Sequence, residues 1–166
     1  MGGVMPSQAG SGGRISAGIL LWRNRDGVTE VLLGHPGGPF FAKKDAGAWG
    51  VLKGEVEPGE DLLAVARREF AEETGFPLPE GPAMELGEIR QRGGKRVVAW
   101  AVEGELDPAL ATSNTFELEW PPRSGRIQAF PEIDRVAWFD DAAARIAINP
   151  GQVPFLDRLP RPRAGA

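Results

Sequence analysis

The chain has no cysteine, no tyrosine and a single histidine among its 166 residues. Without cysteine there are no disulfides and no thiolate metal sites, and a reducing cytoplasm is the simplest compartment to expect. No continuous apolar run approaches the ~20 residues of a membrane span, and the amino terminus lacks the charged and apolar regions of a signal peptide. A basic stripe is missing too. With a net charge of -4 and a pI near 5.1, the chain has little to track a phosphate backbone, which argues against long nucleic acid as a partner. A small phosphorylated ligand needs only local positive charge, so a soluble, cytoplasmic protein with such a partner is the expectation.

What is present reads as one domain, long enough to bury a core without staples. Residues 1–13 are rich in Gly and Ser without periodicity and read as a disordered leader, residues 14–158 as the domain, and 159–166, where Pro and Arg alternate, as a flexible tail. Ile15 to Trp22 and Val28 to Leu33 read as a hairpin around a turn at Asn24 to Gly27. Glu85 to Gln91 and Arg96 to Val102 read as a second strand pair around Gly93 and Gly94. Phe116 to Trp120 alternates weakly, and Val136 to Phe139 reads as a short buried strand. Asp61 to Thr74 reads as a helix whose apolar stripe is Leu63, Ala66 and Phe70. Asp140 to Ile148 is a second helix, and a shorter one follows at Gln152 to Leu159. This order suggests an α/β (α+β) fold, an α/β/α sandwich with a mixed central sheet.

The chemistry is concentrated between Gly54 and Phe76. At ~3.6 residues per turn, Glu69, Glu72 and Glu73 fall within about 100° of one another on the flank of the stripe. Three like charges on one turn repel. A divalent cation neutralises such a cluster, and hard oxygen ligands suit magnesium or manganese, with water and substrate phosphate completing the shell. Gly75 is placed to cap the helix. Upstream, Lys53, Gly54, Pro58 and Gly59 read as a loop folding back over the helix start, where a glycine backbone comes close to metal or phosphate.

In this order and spacing of glycine, glutamates, arginine and apolar positions, the chain resembles the Nudix hydrolase family. The resemblance implies that Glu69, Glu72 and Glu73 ligate the metal (Mg2+ or Mn2+), with the Gly54 carbonyl as a further ligand. Arg68 orients a glutamate by a charge-assisted bond, and Glu60 braces the loop. It also implies metal-dependent attack of water on a diphosphate linkage in a nucleoside diphosphate derivative. The general base is then Glu69 or a glutamate outside the motif, with Glu132, Glu117 and Glu119 as candidates.

For substrate recognition the connection from His35 to Trp49 stands out. Lys43, Lys44 and Lys53 are candidates to meet phosphate oxygens, and Phe40 or Phe41 to stack on a base. The connection from Asp107 to Ile133, with Trp120, Arg123 and Arg126, is a candidate second wall. His35, beside a Pro-Gly turn, reads as incidental rather than catalytic. The run of Trp49, Lys53, Gly54 and Val56 to Glu60 resembles dinucleoside polyphosphate hydrolases of the family, from which Leu52 in place of proline and the lack of tyrosine are departures. The chain also lacks the downstream proline of ADP-ribose hydrolases, since Gln91 and Arg92 occupy that neighbourhood, and the upstream signature of coenzyme A hydrolases. A dinucleoside polyphosphate or nucleoside triphosphate is therefore the expected substrate. The alternative is a Nudix-fold regulatory module that binds nucleotide without hydrolysis. Such modules typically lose motif glutamates, and none is lost here.

Overall fold

The computed structural model describes residues 14–160. Its first hairpin joins β1 (Ile15–Arg25) to β2 (Val28–Pro36) through Asp26 and Gly27, whose φ angles are 53° and 82°. Two left-handed residues in succession match the right-handed twist of the flanking strands. The turn is tighter than the sequence suggested, because Asn24 and Arg25 still pair with Thr29 and Val28.

β3 (Leu52–Glu55) pairs antiparallel with the start of β1. β4 (Met84–Arg90) and β5 (Arg96–Glu103) form the second predicted pair, and β5 runs parallel to β1. β8 (Ile133–Asp140) closes the far side along β2 and is longer than the four residues expected, since pairing extends from Pro36 with Ile133 to Glu30 with Asp140. The main sheet therefore has the order β4-β5-β1-β2-β8, with β3 attached to β1. β6 (Thr115–Glu119) and β7 (Ile127–Pro131) form a separate antiparallel ribbon.

Alternation along β1 divides the core in two. Ala17, Ile19 and Leu21 meet Val65, Ala66 and Phe70 of α1 (Leu62–Thr74) on one face. On the other, Leu20 joins Ala144 and Ala147 of α2 (Asp141–Ala147) and Phe155 and Leu156 of α3 (Val153–Asp157). Successive strand side chains point to opposite faces, so a strand covered on both sides is apolar throughout. The result is the α/β/α sandwich with a mixed sheet.

Several expectations change. Lys53 and Gly54 lie in β3, not in a loop, paired with Gly18 and Ala17. β3 runs close against β1 there, as a Cβ on Gly18 would come within 2.6 Å of the Leu52 carbonyl oxygen. The buried stripe of α1 is Val65, Ala66, Phe70, Glu73 and Thr74, while Leu63 is only half-buried. Leu159, the first residue of the expected tail, belongs to the core cluster with Phe155. Residues 1–13 and 161–166 lie outside the described residues. Among the described residues no helix is long and apolar enough to cross a membrane.

Candidate metal and phosphate site

α1 is delimited at both ends by its own sequence. The Asp61 carboxylate accepts from the Ala64 amide at 2.9 Å, and Gly75 takes the left-handed cap conformation at φ 80°. A Cβ on Gly75 would also press within 2.6 Å of Thr112 Oγ1. Both the angle and the space require glycine there.

Within that frame Glu73 sits at i+7 from Ala66 and i+3 from Phe70, in the core-facing stripe itself and not on its flank. It is 6% exposed, and its Oε1 has no hydrogen-bond partner. Burial, and then the charge of Glu69, push its carboxyl up to about 9, with Lys53 pulling the other way. Glu69 is also raised, first by burial and then by Glu72, against the pull of Arg68. The Glu69 carboxylate lies directly against Gly54, where a Cβ would collide with it. Glu72 is 43% exposed at its side chain.

Arg68 gathers this end of the helix. Its guanidinium is 2.9 Å from Glu60 Oε2, 3.7 Å from Glu69 Oε2 and 3.9 Å from Glu72 Oε2. Its short bond is therefore to Glu60, whose other oxygen accepts from the Glu57 amide at 2.8 Å. Glu60 thus ties the loop before α1 to Arg68, and Arg68 reaches the glutamates at longer range.

Of the glutamates outside the motif, Glu132 is the one whose charge raises both Glu69 and Glu73. It occupies the corner between β7 and β8. Its amide donates to Asn114 O at 2.8 Å, and the Asn114 amide donates to Glu72 O at 2.8 Å, which anchors this corner to α1. Glu117 and Glu119 are exposed on β6, and Glu119 accepts from Gly125 N at 2.7 Å within its own turn.

The predicted phosphate-binding lysines separate into two groups. Lys53 is brought to the cluster, where burial and then neighbouring Lys95 lower its ammonium to about 8. Lys95, in the β4–β5 connection, was not singled out in the sequence, because nothing local marks it. Lys43 and Lys44 are exposed and, among the described residues, make no ion pair with the α1 carboxylates. The Lys44 ammonium lies 5.4 Å from the half-buried Phe41 ring. Phe40 is 61% exposed and meets Trp120 edge-on, with ring centres 5.3 Å apart.

Among the described residues no three histidine, aspartate or glutamate side chains are drawn together closely enough to hold a metal ion as they stand. The oxygen donors at this end of α1 are nevertheless of the hard kind that a divalent cation takes. They comprise an orphaned buried oxygen on Glu73, the Glu69 carboxylate against Gly54, and the partly exposed Glu72.

The NUDIX domain family matches residues 12–159. The chain belongs to the NUDIX family. In structure it resembles the NUDIX domain of Shewanella oneidensis NrtR, solved with ADP ribose, at a TM-score of 0.57 and 16% identity, over 87% of this chain and 84% of that one. It also resembles a C. elegans Ap4A hydrolase in a binary complex, at a TM-score of 0.55 and 24% identity, over 87% and 93%. At these identities the likeness is one of fold. In sequence it is 32% identical over 114 residues to an octanoyltransferase of Myxococcus xanthus, covering 69% of this chain and 26% of that protein. The chain spans about a quarter of the length of that curated relative.

Proposed function

We propose that this NUDIX protein hydrolyses a diphosphate linkage in a nucleoside diphosphate derivative, a dinucleoside polyphosphate or a nucleoside triphosphate, with magnesium or manganese as cofactor. The observation that carries the reading is the unpartnered, buried Glu73 Oε1, with the charge of Glu69, itself set against Gly54, acting on it. A buried carboxylate oxygen without a partner is costly, and a cation would offset that cost.

Glu69, Glu72 and Glu73, with the Gly54 carbonyl, hold the cation in this reading. When bound it neutralises phosphate oxygens and makes an attached water more acidic. Glu132 is the base we assign. It is exposed, so it reaches solvent water, and its charge acts on Glu69 and Glu73. Glu69 is the less favoured base, because Gly54 and Arg68 already confine its carboxylate. Arg68 holds the loop through Glu60 and offsets the charge of Glu69 and Glu72. Lys53 and Lys95 supply the local positive charge for phosphate oxygens on a chain that is acidic as a whole.

The test is a chromatographic panel with magnesium and then manganese. It compares diadenosine tetraphosphate, ADP-ribose, NADH, and normal and oxidised nucleoside triphosphates. Turnover of one class, abolished by chelator and reduced on the order of 100-fold or more by Glu73→Gln, is the expected result. Nucleotide binding without any turnover would favour the regulatory module instead.

A further inference from the structure

His35, which the sequence marked as incidental, lies near the end of β2 and is completely buried. Its Nδ1 is 2.9 Å from Asp134 Oδ1 on β8, and its Nε2 is 2.6 Å from the Lys44 carbonyl oxygen in the connection that follows β2. A carbonyl oxygen only accepts, so Nε2 carries a proton. Asp134 Oδ1 also faces the Arg135 Nε at 3.6 Å, the setting of an ionised carboxylate, which likewise only accepts. Nδ1 therefore carries a proton as well. A ring that donates from both nitrogens is an imidazolium.

The other charged groups nearby are engaged elsewhere. The Lys44 ammonium is turned towards the Phe41 ring, Asp45 accepts from Trp49 Nε1 at 2.8 Å, and the Arg135 guanidinium lies 5.1 Å from the Trp49 ring centre. The Trp49 ring meets the imidazole edge-on at 5.2 Å. Asp134 is thus the counter-ion of the buried cation.

We propose that His35 is a positioning residue held as a buried imidazolium latch, donating to Asp134 and to Lys44 at once and so fixing the 37–47 connection against β8. Both connections that the sequence offers for substrate recognition meet here. The connection carries Phe41, Lys43 and Lys44, and the Gly37 amide donates to Glu132 O at 3.0 Å where β8 begins. Loss of either ring proton leaves a nitrogen lone pair facing an oxygen, which replaces a bond by a repulsion. The connection then loosens as pH rises. What its order does for a substrate rests on the function proposed above, whereas the charge of the ring and its grip on the connection do not.

Because the chain has one histidine, a full-length sample labelled with 15N-histidine gives a single set of ring signals. Between about pH 5 and 9, we expect the doubly protonated ring at the acid end. Amide exchange in residues 38–47, corrected for its intrinsic pH dependence, should accelerate on the order of tenfold as the ring loses its proton. In His35→Gln that exchange should be fast and independent of pH. Should this buried variant not fold, Asp134→Ala, at a partly exposed position, removes one of the two acceptors and should speed exchange in 38–47 even at the acid end of the range. A ring that is neutral across the whole range would overturn the proposal, as would exchange in 38–47 that ignores the ring's titration. A panel without turnover beside an intact latch would count against the proposed function alone.

Discussion

A carboxyl at a core-facing helical position is stable as a neutral acid and costly as an anion. Glu73 is such a group, raised to about 9 by burial and by Glu69. Since its folded value lies above the unfolded one, the folded state holds a proton that the unfolded state has released, throughout the interval between an ordinary carboxyl near 4.5 and about 9. Stability of the chelated protein therefore falls as pH rises through that window. Thermal melts in chelator should show this decline in wild type and a flatter profile in Glu73→Gln. A second residue-scale test concerns Gly54. With alanine there, the Glu69 carboxylate must move, so Gly54→Ala should lower turnover about 10- to 100-fold while the protein remains folded by circular dichroism. The motif could be picked out in the sequence because its residues lie on one helix and on the short strand and loop just before it, where spacing along the chain brings them close. The buried position of His35 and the approach of Lys95 to Lys53 could not, since the partners arrive from other strands and connections. Asp134 is 99 residues from His35, and Lys95 joins Lys53 from the β4–β5 connection.

At the scale of elements, α1 holds the site by its apolar side. Phe70 has no exposed surface and lies among β1 and β2 residues such as Ile19, Leu21 and Leu32. Phe70→Ala should cost about 3 to 5 kcal/mol, read from denaturant unfolding of the chelated protein. The limits of α1 could be read from Asp61 and Gly75, whose cap chemistry is local. Two strands could not. β3 contains Gly54 and is only four residues long, so its strand character comes from pairing with β1. Among the described residues β7 pairs only with β6, both strands consist of exposed and half-buried residues, and neither has the fully buried face that makes a strand stand out.

For the molecule as a whole, the two-faced core follows from apolar strands with one helix in the middle of the chain and two near its end, and this was legible as a sandwich. The arrangement around the carboxylates was not. It depends on β3 lying against α1 at Gly54 and Glu69, and on the β7–β8 corner meeting α1 through the Glu72, Asn114 and Glu132 backbone contacts. A cation held there would join three elements that are distant in sequence, so its binding is the central claim. The most direct measurement is manganese binding by electron paramagnetic resonance at neutral pH, in wild type and in Glu73→Gln. Saturable binding in wild type, weakened about 10-fold or more in the variant, is the predicted result. Equal affinity in the two proteins would contradict the assignment of Glu73 and the site built around it.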